Sequence, residues 1–189
     1  MLKPFYQGKL DSFCAIYAVL NCLRITHTLR GKKARDIFND TLMGLIGDAG
    51  KFRDFLEQKT DYFDVVDGML AEQAKCFPMQ VIRPFGPNDS PDEEKLWQTF
   101  ATWLGPGPQR AVLFRFIRRI TAGGEPSSRH WTCTARIDKD VMQLFDCSHE
   151  AEAILNVRRD AFVTDSARIT RDRLLYIQPD SVRLVRLPF

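Results

Sequence analysis

The sequence predicts an α+β fold in which N-terminal helices pack on a C-terminal antiparallel β-sheet. Apolar residues recur at three- and four-residue spacing before Pro78, and in short β-branched and aromatic runs after it. Helices grouped ahead of strands, with little alternation between the two, argue against a parallel sheet of βαβ units. The chain has 189 residues, 44% hydrophobic and 27% charged, enough to build a core without disulfide or metal staples. With no internal repeat and no long linker, one domain over residues 1–189 is expected.

The elements follow in order. Phe13, Ile16, Tyr17, Leu20 and Leu23 mark a largely buried helix from about Ser12 to Thr28, with Asp11 or Ser12 available as its N-cap. Further helices are expected at Ala34 to Ile46, Lys51 to Gln58 and Tyr62 to Cys76, punctuated by Gly44, Gly47, Gly50 and Pro78. A strand at Met79 to Arg83, a polar loop from Pro84 to Pro91 and a helix from Glu93 to Leu104 come next. Ala111 to Ile117 has the composition of a central strand. His130 to Ile137 and Val141 to Asp146 form a hairpin around Asp138-Lys139-Asp140. Strands at Leu174 to Gln178 and Val182 to Leu187 close the chain, after a segment from Glu150 to Arg173 that carries no clear period.

Charge and composition exclude several classes. Against 27 basic residues stand 24 acidic ones, and a net charge of +3 is far from a general nucleic-acid-binding surface, so no nucleic-acid partner is expected. The apolar stretch Cys14 to Leu20 is followed at once by Asn21, well short of the roughly 18 to 20 residues of a membrane span. The N-terminus lacks the charged and apolar regions of a secretory signal, so a cytoplasmic protein without a membrane partner is expected. The five cysteines Cys14, Cys22, Cys76, Cys133 and Cys147 form no CxxC pair and are read as free thiols.

Cys14 falls in the first turn of the first helix, where the helix dipole and first-turn amides favour a thiolate. A cysteine nucleophile needs a base, a group that orients the base, and donors for an oxyanion. His27 lies thirteen residues along the same helix, about 20 Å away at 1.5 Å per residue, and cannot be the base. His130 opens a strand beside a loop and is the better base; His149 is the alternative. Along the first strand of the hairpin, Trp131, Cys133, Ala135 and Ile137 make an apolar face, which leaves His130, Thr132 and Thr134 on the other, away from the core. A three-residue loop Asp138-Lys139-Asp140 sets Asp146 opposite Thr132, one diagonal step from His130; a two-residue loop would turn it to the opposite face. Gln7, seven residues before Cys14, could join the Cys14 amide as an oxyanion donor.

The segment Gln7-Gly8-Lys9-Leu10-Asp11-Ser12-Phe13-Cys14-Ala15-Ile16-Tyr17-Ala18-Val19-Leu20-Asn21, followed by His130-Trp131 and Leu144-Phe145-Asp146, resembles the papain-like cysteine peptidase superfamily. Within it the resemblance is nearest to the bacterial bacteriocin-processing (double-glycine) peptidases. It implies a papain-like fold, with the nucleophile helix packed on an antiparallel sheet that supplies the histidine and its acidic partner. It also implies roles: Gln7 at the oxyanion, Cys14 as nucleophile, His130 as general base and then acid, Asp146 as orienter. The family's glutamine usually stands six residues before its cysteine, and a glycine commonly follows the cysteine where this chain has Ala15.

The expected function is hydrolysis of a peptide or isopeptide (amide) bond in a peptide or protein substrate, through a thioester and without a cofactor. Deamidation or acyl transfer by the same site, or an inactive peptide-binding module, are the alternatives. Cys147 is a rival nucleophile that lacks a helix N-terminus. His130, Cys133, Cys147 and His149 could be drawn as a metal site, but strand alternation separates His130 from Cys133, and no metal is expected. Arg115, Arg118, Arg119, Arg129 and Arg136 read as solvated surface, and Trp131 as core.

Overall fold

The structure, a computed structural model, describes residues 2–7, 13–57, 59, 62–105, 107, 109–119, 126–148, 156–170, 173 and 175–188. Its helices are α1 (Cys14–His27), α2 (Gly31–Ile46), α3 (Ala49–Leu56), α4 (Phe63–Gln73) and α5 (Glu93–Leu104). Its strands are β1 (Gln80–Ile82), β2 (Arg110–Arg119), β3 (Pro126–Asp138), β4 (Val141–Leu144), β5 (Asn156–Arg158), β6 (Phe162–Val163), β7 (Leu175–Ile177) and β8 (Arg183–Arg186). They form one mixed α+β arrangement around an eight-stranded sheet of order β1-β8-β2-β3-β4-β5, with β7 beside the far end of β2 and β6 beside β7. Neighbours are antiparallel except β6 and β7, which run parallel. β5 and β6 lie in the stretch whose period gave no reading; at three and two residues they are too short to show one.

The sheet is covered on both faces. In β2 the buried residues Ala111 and Leu113 join the cluster that α1 to α4 build from Ile16, Leu20, Leu23, Ile37, Phe55, Val66 and Leu70. The alternate residues Val112, Phe114 and Phe116 join a second cluster with Leu96, Trp97 and Phe100 of α5. A strand buried on both faces reads as a continuous apolar run, which is why Ala111 to Ile117 shows no polar alternation. Each large apolar side chain removed from water in these clusters contributes about 1.5–3 kcal/mol before entropy is counted. Because α5 covers the second face, His130, Thr132 and Thr134 do not point away from a core: all three are buried.

α1 runs between the sheet and the other N-terminal helices, so it is buried nearly all round. Ala15 and Ala18 are fully buried with little bulk, and Asn21 and Thr26 are polar residues fully enclosed on the helix. The helix begins at Cys14 and its cap position falls to Phe13, which gives no side-chain cap; Asp11 and Ser12 lie outside the described residues. Trp131 is fully buried and meets Phe63 of α4 edge-on at 5.7 Å, a core residue as the sequence suggests. Arg115 departs from its reading: only 4% exposed, its guanidinium reaches Gln178 at 2.6 Å. No helix among the described residues is long and apolar enough to cross a membrane.

The hairpin differs from expectation in a way that bears on function. The turn is the two residues Lys139 and Asp140, with Lys139 at φ 53° and Asp138 paired to Val141. By itself that turn would send Asp146 to the wrong face. A β-bulge between Thr134 and Arg136 intervenes, so that Thr134 pairs with Leu144 and the register returns to the expected one. The same bulge moves Ile137 off the face of Trp131 and Cys133 and packs it against the second cluster.

Candidate active site

Three elements converge where α1 begins. Cys14 is the first residue of α1 and 5% exposed. β3 brings His130, 8% exposed, with its ring against Phe116 at 5.4 Å. The segment after β4 brings Asp146, 2% exposed, whose Oδ2 lies 3.0 Å from His130 Nε2. Side-chain hydrogen bonds from Cys14 and Cys147 also reach the imidazole. With Nε2–H donated to Asp146, Nδ1 is the ring nitrogen able to take a proton from Cys14.

The chain after β4 is held in place by its own side chains. The Ser148 amide donates to Asp146 Oδ1 at 2.7 Å, a local loop of the kind aspartates form two residues ahead of an amide. The Ser148 hydroxyl lies 3.3 Å from His130 Nε2 and the Cys147 thiol 3.7 Å from it. Thr132, beside Asp146 on β3, helps to hold the carboxylate ionised.

The electrostatics of the pair are set by burial working against partners. Burial alone would push the His130 pKa down, but its hydrogen bonds with Asp146, Cys14 and Cys147 raise it well above 6.5. Burial pushes Asp146 up, and the contacts with His130, Ser148 and Thr132 more than reverse this, leaving it below its ordinary value. Both shifts favour the charged forms, an imidazolium facing a carboxylate at 3.0 Å. Cys147 behaves differently: its burial outweighs the neighbouring histidine and lifts its pKa to about 11.

Gln7 sits on the segment that enters α1. Its backbone N–H donates to the Cys147 carbonyl at 2.8 Å, and its side-chain Oε1 accepts from the Cys147 thiol at 3.5 Å. Two residues earlier, the Phe5 amide donates to Asn21 Oδ1 at 2.6 Å while Asn21 Nδ2 donates to the Phe5 carbonyl at 3.1 Å. The strap bearing Gln7 is thus pinned to α1 at one point and to the Asp146 segment at another, with Cys14 between them.

The structure therefore brings together Cys14, His130 and Asp146, with Gln7 joined to their neighbour Cys147. His27 is elsewhere, bonded to Thr26 Oγ1 and the Pro78 carbonyl at 2.8 and 3.0 Å. His149 lies outside the described residues. Cys133 faces the α1 side, its thiol donating to the Phe145 carbonyl at 3.5 Å, and no three metal-ligating side chains converge among the described residues. Sequence reasoning missed Ser148 and Asn21; the Asp-x-Ser spacing was a usable signal for the first, and nothing in the pattern marked the second. Comparisons of the chain with protein-family models, with curated proteins and with solved structures return no match.

Proposed function

We propose that this protein is a cysteine hydrolase of papain-like type, cleaving a peptide or isopeptide bond with Cys14 as nucleophile, His130 as base and Asp146 as its orienter. The observation that carries the reading is the imidazole of His130, held by Asp146 at 3.0 Å on one side and bonded to the thiol at the start of α1 on another. In this scheme the proton of the Cys14 thiol rests on His130 as an imidazolium, and the Cys14 sulfur attacks the scissile carbonyl. The oxyanion is met by the Cys14 amide and the Gln7 side chain. The imidazolium then protonates the leaving amine, releasing it and leaving a thioester. Water, deprotonated by the same imidazole, hydrolyses the thioester and restores the thiol. Asp146 keeps the ring oriented and stabilises its charged form throughout.

Alkylation of each cysteine by iodoacetamide, followed by peptide mass against pH, tests the site, and a mixture-based fluorogenic peptide library tests turnover. Cys14 is expected to label rapidly below pH 7 in the wild type and slowly in His130→Ala. Cys147, its thiol pushed up to about 11 by burial, should label more slowly than Cys14. Cleavage should vanish in Cys14→Ala. Cys14 labelling that ignores His130 would overturn the assignment.

A further inference from the structure

The hairpin that carries Asp146 contains two irregularities that cancel, and one buried hydroxyl joins them. Next to the two-residue turn the pairs are Asp138 with Val141, Ile137 with Met142 and Arg136 with Gln143. Continued without interruption, this register would set Cys133 opposite Asp146 and turn the carboxylate to the face away from His130, because a one-residue slip exchanges faces. The ladder instead leaves Ala135 unpaired and resumes with Thr134 opposite Leu144. From Thr134 to Ser128 β3 is regular against β2, with Thr132 opposite Phe114 and His130 opposite Phe116. Asp146 then comes level with Thr132 and meets His130.

Thr134 spans the irregularity. Its side chain is fully buried; the hydroxyl donates to the Gln143 carbonyl at 2.6 Å and accepts the Arg136 amide at 3.3 Å. Those two groups flank the unpaired residue on its own strand and on the partner strand. A bulge removes ladder hydrogen bonds, and buried backbone groups left without partners cost about 1–3 kcal/mol each. The hydroxyl replaces what the bulge takes away. Valine has the same shape and offers neither donor nor acceptor, so at this position it favours the uninterrupted register.

We propose that Thr134 is a positioning residue for the site: its hydroxyl holds the bulge at Ala135 that sets Asp146 on the face of His130. The functional meaning of this rests on the Cys14–His130–Asp146 reading; the geometry does not. The measurement is therefore the titration of the His130 imidazole by NMR, assigned with His130→Gln, which needs no turnover. The groups facing that ring are Asp146, Cys14, Cys147, Ser148 and Phe116, and of these Asp146, Cys147 and Ser148, consecutive on the segment after β4, depend on the bulge.

Thr134→Val should bring the His130 titration down at least as far as Asp146→Asn does and slow Cys14 alkylation at least about a hundredfold, the lower end of the range for a positioned acid–base group. Thr134→Ser, which keeps the hydroxyl, should match the wild type. Deleting Ala135 removes the unpaired residue and leaves Thr134 opposite Leu144 in a regular ladder, so combining this deletion with Thr134→Val should restore the wild-type titration. A Thr134→Val protein that titrates like the wild type would overturn the proposal, and so would a failure of the deletion to restore it. If Thr134→Val does not fold, the combined variant decides on the same criterion. Wild-type Cys14 labelling that is indifferent to His130 would count against the hydrolase reading while the titration still judged Thr134.

Discussion

His130 holds a proton in surroundings that burial alone would make hostile to it. Its three stabilising contacts differ in kind: Asp146 is a carboxylate at 3.0 Å, while Cys14 and Cys147 are thiols. Removing the carboxylate charge in Asp146→Asn should therefore lower the His130 pKa the most of any single change around the ring. In the wild type these contacts keep the imidazolium favoured above pH 6.5. In Asp146→Asn the His130 titration should move down and turnover should fall roughly 10²- to 10⁴-fold, the range for a positioned acid–base group. NMR titration of the ring and cleavage of the fluorogenic peptides measure the two, and a titration unchanged in position would mean that Asp146 is a turn residue and no more.

At the scale of elements, α1 and the strap before it act as one part. Asn21 is fully enclosed on the helix and pairs with both backbone groups of Phe5, while Arg24 one turn on lies over the Phe5 ring at 4.4 Å. Asn21→Leu fills similar space but leaves two backbone groups unpaired, and should cost about 1–3 kcal/mol. Hydrogen exchange at the Phe5 and Gln7 amides should quicken more than at amides in β2; equal quickening across the chain would argue that the strap is held by something else. This element also marks the limit of what the sequence discloses. The period of Phe13, Ile16, Tyr17 and Leu20 announces α1 and places Cys14 at its start, and composition marks β2 and α5 nearly to the residue. Asn21 lies within the same apolar run and looks like a break in it, because its partner is a backbone sixteen residues away. The hairpin was legible as a pair of strands, yet its turn was read one residue too long. The expected place of Asp146 emerged only because the bulge at Ala135 supplies the compensating shift, and Ala135 itself carries no signal of a bulge. Arg115 was misread for a related reason: its burial depends on Gln178, which pairing of distant strands brings beside it.

For the whole molecule, the site lies where the layer of α1 to α4 meets the sheet, so His130 and Asp146 are both catalytic candidates and buried charges in the core. Their shifted titrations tie the stability of the fold to pH. His130 has a folded pKa raised above 6.5; its contribution is fully present below 6.5 and is lost as pH rises through the raised value. Asp146 has a folded pKa below 3.8; its contribution is present above 3.8 and is lost as pH falls through the lowered value. Both contributions are complete only between 3.8 and 6.5. Thermal unfolding of the wild type and of Asp146→Asn across pH should therefore show the largest gap in Tm near the middle of that window, narrowing toward alkaline pH as His130 loses its proton and toward strong acid as Asp146 gains one. The exposed pairs cannot mimic this pattern. Lys75 with Glu72 and Arg158 with Asp160 are surface contacts whose worth is close to nothing in salt. A gap that stays constant from pH 4 to pH 9 would mean that the two groups are not charged together in the folded protein, and that the imidazolium–carboxylate pair on which the proposed mechanism depends does not form.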